Sequence, residues 1–118
     1  MQNPKRFLDR IKRAYEKTGM RPVAAKWLAK NKKSCCPLAA LCIAKIGVNE
    51  WLEQVESDGE DYTVHMNLKM DSQFADGFMD AFDSNMDGTR PSIFEKYNNG
   101  FKCGQLALQE LIPGRKKK

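Results

Sequence analysis

The stretch FADGFMDA at residues 74–81, together with YNNGFKCG at residues 97–104, decides the fold of this chain. Both follow one pattern: an aromatic residue, a glycine three positions later, a phenylalanine directly after it, and a small residue three positions further on. Residues three and four positions apart share a helix face, so each stretch predicts a helix with small residues beside its aromatic residues. Glycine inside a helix costs about 1 kcal/mol relative to alanine. Its repeated use here predicts close approach of another backbone or of a bulky ring.

The two stretches belong to predicted helices over residues 72–84 and 93–111, which form a C-terminal helical hairpin packed through its Gly and Ala positions. Asp71 or Ser72 suits the N-cap of the first helix. The segment Ser-Ile-Phe-Glu at residues 92–95 reads as a capping box for the second. We expect the small residues to serve core packing and not ligand binding.

The N-terminal segment predicts a further helix of about 14 residues. Asn3 suits its cap, Pro4 its first helical position and Gly19 its left-handed exit. The apolar residues form one stripe at helical spacing, namely Phe7, Leu8, Ile11, Ala14 and Tyr15. Lysine and arginine occupy much of the remaining surface, so the helix is basic and amphipathic.

Residues 20–33 fit two structures. Pro22 is a suitable start for a helix, whereas apolar residues alternate over residues 23–29 and predict a strand. We favour the strand, paired as a hairpin with residues 34–36, because a fresh helix then begins at Pro37.

The middle of the chain predicts three elements. A helix spans residues 37–46 and ends at Gly47, and Asn49 caps a short acidic helix over residues 50–56. Apolar and polar residues then alternate over residues 62–70, which predicts a half-buried strand.

These elements predict an α+β fold. We expect a mostly helical small single domain over residues 1–114, with about four helices and a minor two- or three-stranded β element, followed by a flexible basic tail at residues 115–118. The chain has 118 residues, of which 42% are apolar, enough for a real core. Its longest run without charge, residues 34–44, is shorter than the about 20 residues that span a bilayer. With no signal-peptide pattern, we expect a cytoplasmic protein without a membrane partner.

Charge is sorted along the chain. Residues 1–33 carry 11 Lys and Arg against two acids, residues 34–114 carry five against 13, and residues 115–118 are all basic. A basic front and tail favour a polyanion or an acidic protein as partner. We predict a small accessory protein that binds nucleic acid or a nucleoprotein by neutralising phosphates. The candidate nucleic-acid-binding residues are Lys5, Arg6, Arg10, Lys12, Arg13, Lys17, Arg21, Lys32, Lys33, Arg115 and Lys116.

Two alternatives use other residues. The acidic surfaces at residues 50–61 and 76–87 fit a stoichiometric protein-binding modulator, for example a phage-encoded inhibitor. A thiol-dependent enzyme is a distant third, because Cys36 at a helix start is favoured as a thiolate yet has no recognisable base beside it. We expect Cys35 and Cys36 to be small buried side chains instead, and no enzyme activity.

Metal and cofactor sites are not expected. The sequence DSNMDG at residues 83–88 matches the first half of a calcium loop, but Phe94 stands where the bidentate carboxylate belongs. The chain has one histidine and no CxxC pair. Catalytic motifs built on a glycine-rich phosphate loop, GxSxG or HExxH are also missing from the sequence.

The sequence CCPLAAL at residues 35–41, followed later by the Gly77-Phe78 helix, resembles short uncharacterised bacterial and phage proteins. The resemblance covers most of the chain and rests on small, common residues. It implies a microbial or viral accessory protein and carries no site residues.

Overall fold

The structure is a computed structural model that describes residues 3–23, 33–82 and 94–112. These residues form six helices and one two-stranded sheet. In chain order the elements are α1 (Pro4–Thr18), β1 (Arg21–Pro22), β2 (Ser34–Cys35), α2 (Pro37–Ile46), α3 (Val48–Asp58), α4 (Glu60–Leu68), α5 (Ser72–Phe82) and α6 (Glu95–Leu111). The predicted mostly helical fold with a minor β element is confirmed. The predicted number of helices, about four, is too low.

The chain divides into two compact units. One comprises Met1–Asp9 and Asp71–Lys118, and the other comprises Arg10–Met70, so the division falls within α1. The predicted single domain over residues 1–114 stays a prediction. The tail at residues 115–118, the strand at residues 24–29 and the calcium-like loop lie outside the described residues.

In the first unit, α5 and α6 pack backbone to backbone. A Cβ atom at Gly77 would collide with the Tyr97 carbonyl oxygen, and one at Gly100 with the Phe74 carbonyl oxygen. One at Gly104 would lie 2.5 Å from the Phe78 carbonyl oxygen. The close approach predicted from the glycine spacing is therefore confirmed.

Aromatic rings fill the rest of this unit. The Phe7 ring meets Phe74 and Phe78 edge-on, with ring centroids 5.4 and 5.6 Å apart. Phe78 stacks on Phe82 at 5.9 Å. The Tyr97 hydroxyl donates a hydrogen bond to the Asp80 carboxylate, which joins α6 to α5 on their polar side.

The two helices of this hairpin start differently. The Asp71 carboxylate accepts hydrogen bonds from the Gln73 and Phe74 amides at 2.9 and 3.2 Å, so Asp71 is the N-cap of α5 as predicted. The predicted capping box of α6 is wrong, because Phe94 occupies the N-cap and Glu95 is the first helical residue. A capping box needs the acid three residues beyond the cap.

Helix α1 has the predicted ends. The Asn3 side chain accepts hydrogen bonds from the Lys5 and Arg6 amides, and Gly19 follows the helix with φ +71°. All five residues of the predicted apolar stripe are buried.

In the second unit, α2, α3 and α4 pack against one another. Gly47 and Gly59 end α2 and α3 with φ near +87° and +88°, a conformation that few residues other than glycine adopt. α2 has the predicted bounds, and α3 is longer than expected because it starts at Val48, directly after Gly47. Trp51 of α3 is buried.

The favoured hairpin falls mainly on residues 24–32, which lie outside the described residues, and the strand pairing that the structure describes is a different one. Ser34–Cys35 pairs in parallel with Arg21–Pro22, and a hairpin requires antiparallel strands. The Arg21 amide donates to the Lys33 carbonyl at 2.8 Å, and the Val23 amide donates to the Cys35 carbonyl at 3.2 Å. The Tyr15 hydroxyl also donates to the Cys35 carbonyl, at 2.7 Å, so α1 helps to fix β2.

The strand predicted over residues 62–70 is wrong, because residues 60–68 form α4. The alternation would bury Tyr62, Val64 and Met66 together, yet the exposed fractions are 54%, 1% and 57%. Adjacent Thr63 and Val64 are the buried residues of this helix. The Thr63 hydroxyl donates back to the Gly59 carbonyl at 2.6 Å, a hydrogen bond typical of a helix.

Candidate functional site

A basic groove in the second unit is a concave surface that the described residues form. Its volume is about 330 Å³. The lining residues come from α1, α2 and the end of α4, and they are Arg10, Arg13, Ala14, Lys17, Leu41, Ala44, Lys45, Asn67 and Leu68. Four of them are cations and none is an acid.

Helix periodicity sets the α1 wall of the groove. Arg10, Arg13 and Lys17 stand three and then four positions apart, so they share one face of α1. The neighbouring face carries Ile11, Ala14 and Tyr15 into the core. The burial of one face therefore fixes the direction in which these cations point.

Hydrogen bonds hold the part of the lining that α2 and α4 contribute. The Lys45 ammonium, in the last turn of α2, donates to the Asn67 carbonyl of α4 at 2.6 Å. The Asn67 side-chain amide donates to the Gln54 side chain and to the Thr63 carbonyl, both at 2.8 Å. These contacts tie α2, α3 and α4 together beside the groove.

The groove remains electropositive despite the helix ends around it. The C-terminal turns of α1, α2 and α4 each bring a partial negative charge of about one half. Together they offset about one and a half of the three positive charges that Arg13, Lys17 and Lys45 bring to the groove. Lys45 is also the cation that binds one of these terminal carbonyls, the Asn67 oxygen. The surplus favours an anionic ligand.

The groove unites three of the predicted nucleic-acid-binding residues, Arg10, Arg13 and Lys17. Lys5, Arg6 and Lys12 are exposed on α1 but do not line the groove. Arg21 and Lys33 are exposed and are joined to each other by the backbone hydrogen bond of the sheet. The remaining candidates, which lie outside the described residues, are Lys32, Arg115 and Lys116.

Sequence reasoning missed Lys45, Asn67 and Leu68. Lys45 is an isolated base in an acidic region, and residues 67–68 fall in the segment that alternation assigned to a strand. A helical reading of residues 60–68 would have placed Asn67 and Leu68 at a helix end.

The cysteines lie in the interior. Cys36 is at the N-cap of α2 as predicted, but it is only 2% exposed. Burial raises the pKa of the Cys35 and Cys42 thiols to about 12, with Lys45 opposing part of the effect at Cys42. Burial likewise raises the pKa of Cys103 to about 11. Within residues 3–23, 33–82 and 94–112, no group of three or more His, Cys, Asp or Glu side chains has a geometry that could hold a metal ion.

The acidic side chains of α3 and α4 face solvent. Glu50, Glu53, Glu56 and Asp61 are all exposed. Burial raises the pKa of the Glu60 carboxyl, and the nearby charge of Asp61 raises it further. This acidic surface also exposes the apolar side chains of Tyr62 and Met66.

Comparison with protein-family models, curated proteins and solved structures finds no match for this chain. Among the described helices, none combines the length and the apolar character needed to cross a membrane.

Proposed function

We propose that this protein is a non-enzymatic accessory protein that binds nucleic acid, alone or in a nucleoprotein, through the basic surface of α1. The observation that carries the proposal is the groove at α1, where four cations and no acid line one concave surface. The proposal includes a cytoplasmic place of action.

The exposure of α1 supports this function. Its apolar stripe is buried, while Lys5, Arg6, Lys12 and the three groove cations of α1 remain exposed. Exposed lysine and arginine side chains bind phosphates and release condensed counterions, which makes the affinity strongly dependent on salt. The basic tail at residues 115–118 is proposed to add to this attraction.

Fluorescence anisotropy with labelled DNA and RNA of mixed sequence, single- and double-stranded, at several salt concentrations tests the proposal. We expect binding with a log–log salt slope near −4, which corresponds to about four or five neutralised phosphates. No binding at low salt would contradict the proposal, because attraction between the protein and phosphates is strongest there.

Charge-reversal variants locate the surface of the protein that binds nucleic acid. Replacing Lys5, Arg6, Arg10 and Arg13 by glutamate is expected to abolish binding. Because all four side chains are exposed, the fold should persist, which circular dichroism checks.

A matched comparison uses two double variants. Arg10→Glu/Arg13→Glu changes the surface of α1, and Lys96→Glu/Lys102→Glu changes α6 by the same net charge. Equal losses in this pair would mean that net charge, and not the surface of α1, governs binding.

An alternative function is proposed for the acidic surface of α3 and α4. Tyr62 and Met66 are 54% and 57% exposed, one helical turn apart, beside a dense set of acids. Exposed apolar side chains that lie together within a polar rim mark protein–protein contacts. A modulator that binds a basic protein would lose affinity on Glu53→Lys/Asp61→Lys and keep it on Arg10→Glu/Arg13→Glu. Nucleic-acid binding predicts the opposite order.

A further inference from the structure

We infer that the groove between α1, α2 and α4 receives one nucleotide unit, its phosphate at the cations and its base and sugar on the apolar floor, so that single strands bind in preference to duplexes. This inference rests on the proposed function, since it names the part of the nucleic acid that enters the site. The same chemistry is offered by a free nucleotide and by a nucleotide within a single strand.

The size of the groove fits a ligand of this class. Its volume of about 330 Å³ is at the lower end of the range, about 300–1,000 Å³, found for small-molecule sites. A duplex is too wide to enter such a space, so its phosphates would touch only the rim.

The lining contains both cationic and apolar side chains. Arg13, Lys17 and Lys45 supply positive charge, while Leu41, Ala44 and Leu68 supply apolar contact. A phosphate alone would leave the apolar side chains exposed to water, and an uncharged apolar ligand would leave the cations without a counter-charge. A nucleotide satisfies both, because its phosphate and its base are joined in one molecule.

The state of the Lys45 ammonium agrees with this assignment. One of its three N–H donors is used by the Asn67 carbonyl, which leaves two for a ligand. The hydrogen bonds from Asn67 to Gln54 and Thr63 hold that carbonyl in place. Lys45 is therefore positioned at the groove before any ligand arrives, which lowers the entropy cost of binding.

A base must be unpaired and unstacked to reach the apolar floor. Single strands present such bases, whereas a duplex holds them in the stack. The floor is aliphatic, so the groove lacks the aromatic stacking that strengthens many single-strand sites. We therefore expect a mononucleotide to bind weakly, in the millimolar range, and the single strand to gain affinity from the surrounding cations.

Methyl NMR of the full chain, titrated with adenosine 5′-monophosphate, adenosine and inorganic phosphate, tests the inference directly. We expect the monophosphate to shift the methyl signals of Leu41, Ala44 and Leu68 at lower concentration than either of the other two. Equal responses to inorganic phosphate and to the monophosphate would overturn the nucleotide assignment. A titration with single-stranded DNA should shift the same signals, and the matching duplex should not.

A variant that fills the groove without changing charge separates this inference from the proposed function. Ala44→Phe is expected to weaken single-strand binding at least five-fold and to leave duplex binding within two-fold. Gln105→Phe on α6 adds apolar bulk elsewhere and should change neither. If Ala44→Phe lowers the melting temperature, Leu68→Ala, which removes apolar contact from the groove without changing charge, provides the same comparison.

The outcomes are distinguishable. If Ala44→Phe binds single strands and duplexes as tightly as the wild type does, the groove inference fails while the proposed function stands. If neither nucleic acid binds the wild type at low salt, the proposed function fails, whatever the mononucleotide does.

Discussion

Gly100 shows how a single absent side chain sets the contact between two helices. The position that a Cβ atom would occupy there is already taken by the Phe74 carbonyl group of α5. Gly77 and Gly104 meet α6 and α5 backbone atoms in the same way. The sequence predicted this contact because the cost of glycine in a helix requires a compensating benefit.

Gly100→Ala is predicted to destabilise the protein by about 1–3 kcal/mol, because the new methyl group forces α5 and α6 apart. Helix propensity alone predicts the opposite sign, a gain of about 1 kcal/mol. Urea unfolding measures the difference, with Lys102→Ala on the exposed face of α6 as the control, expected within about 0.5 kcal/mol of the wild type. A more stable Gly100→Ala protein would show that the two backbones do not touch at this position.

Asp71 predicts a pH dependence. Desolvation raises the pKa of its carboxyl, but hydrogen bonds from the Phe74 and Gln73 amides and from Lys96 outweigh this and hold the pKa below its ordinary value. A lowered pKa in the folded state means that the carboxylate stabilises the fold above its ordinary pKa, and that this contribution is lost as the pH falls through the lowered value.

Asp71→Asn is accordingly expected to be less stable than the wild type at pH 7 and to approach it as the pH is lowered to 2.5. Urea unfolding across this range measures the difference. Asp9→Asn, which removes an exposed carboxylate from the middle of α1, is the control and should give a smaller difference at pH 7. If the difference in stability between Asp71→Asn and the wild type did not change with pH, this would contradict the role of the Asp71 charge.

At the scale of elements, the segments with clear end signals were predicted and the others were not. The ends of α1 and α2 follow from Asn3, Pro37 and the glycines that follow each helix. For α4, the helical pattern is weak, because its apolar residues do not form one stripe. The alternation over residues 62–70 therefore led to the prediction of a strand. A strand also needs a partner strand, and the alternation of one segment does not reveal whether one exists.

The helical assignment of α4 is tested by two alanine variants. Val64→Ala should destabilise by about 1.5–3 kcal/mol, because Val64 is 1% exposed and its removal leaves a cavity. Met66→Ala should cost less than about 0.5 kcal/mol, because Met66 is 57% exposed. Comparable losses of stability in the two variants would mean that Val64 and Met66 are buried alike, as in a strand with alternating burial, and would contradict the helix.

At the scale of the whole molecule, the separation of basic and acidic segments could be read from the sequence, whereas the groove could not be predicted from it. Arg10, Arg13 and Lys17 belong to the basic front, and their spacing places them on one helix face. Lys45 and Leu68 join them only through the packing of α2 and α4, more than 25 residues further along the chain. No local pattern encodes that meeting, so the cations could be predicted as a group but not as a site.

The cysteines predict how the folded protein reacts as a whole. We expect the described thiols at positions 35, 36, 42 and 103 to resist iodoacetamide at pH 7, because all four are buried. For Cys35, Cys42 and Cys103, burial also raises the pKa to about 11 or 12, so these three thiols are almost entirely protonated at pH 7. Mass spectrometry of timed samples should show less than one label per chain in buffer and four in 6 M guanidinium chloride. In intermediate guanidinium, labelling should follow the loss of helical circular dichroism, because exposure of these thiols requires unfolding. Rapid labelling of Cys36 alone in native buffer would contradict this prediction and restore the thiol-enzyme hypothesis, since it would identify an accessible, activated thiolate at the start of α2.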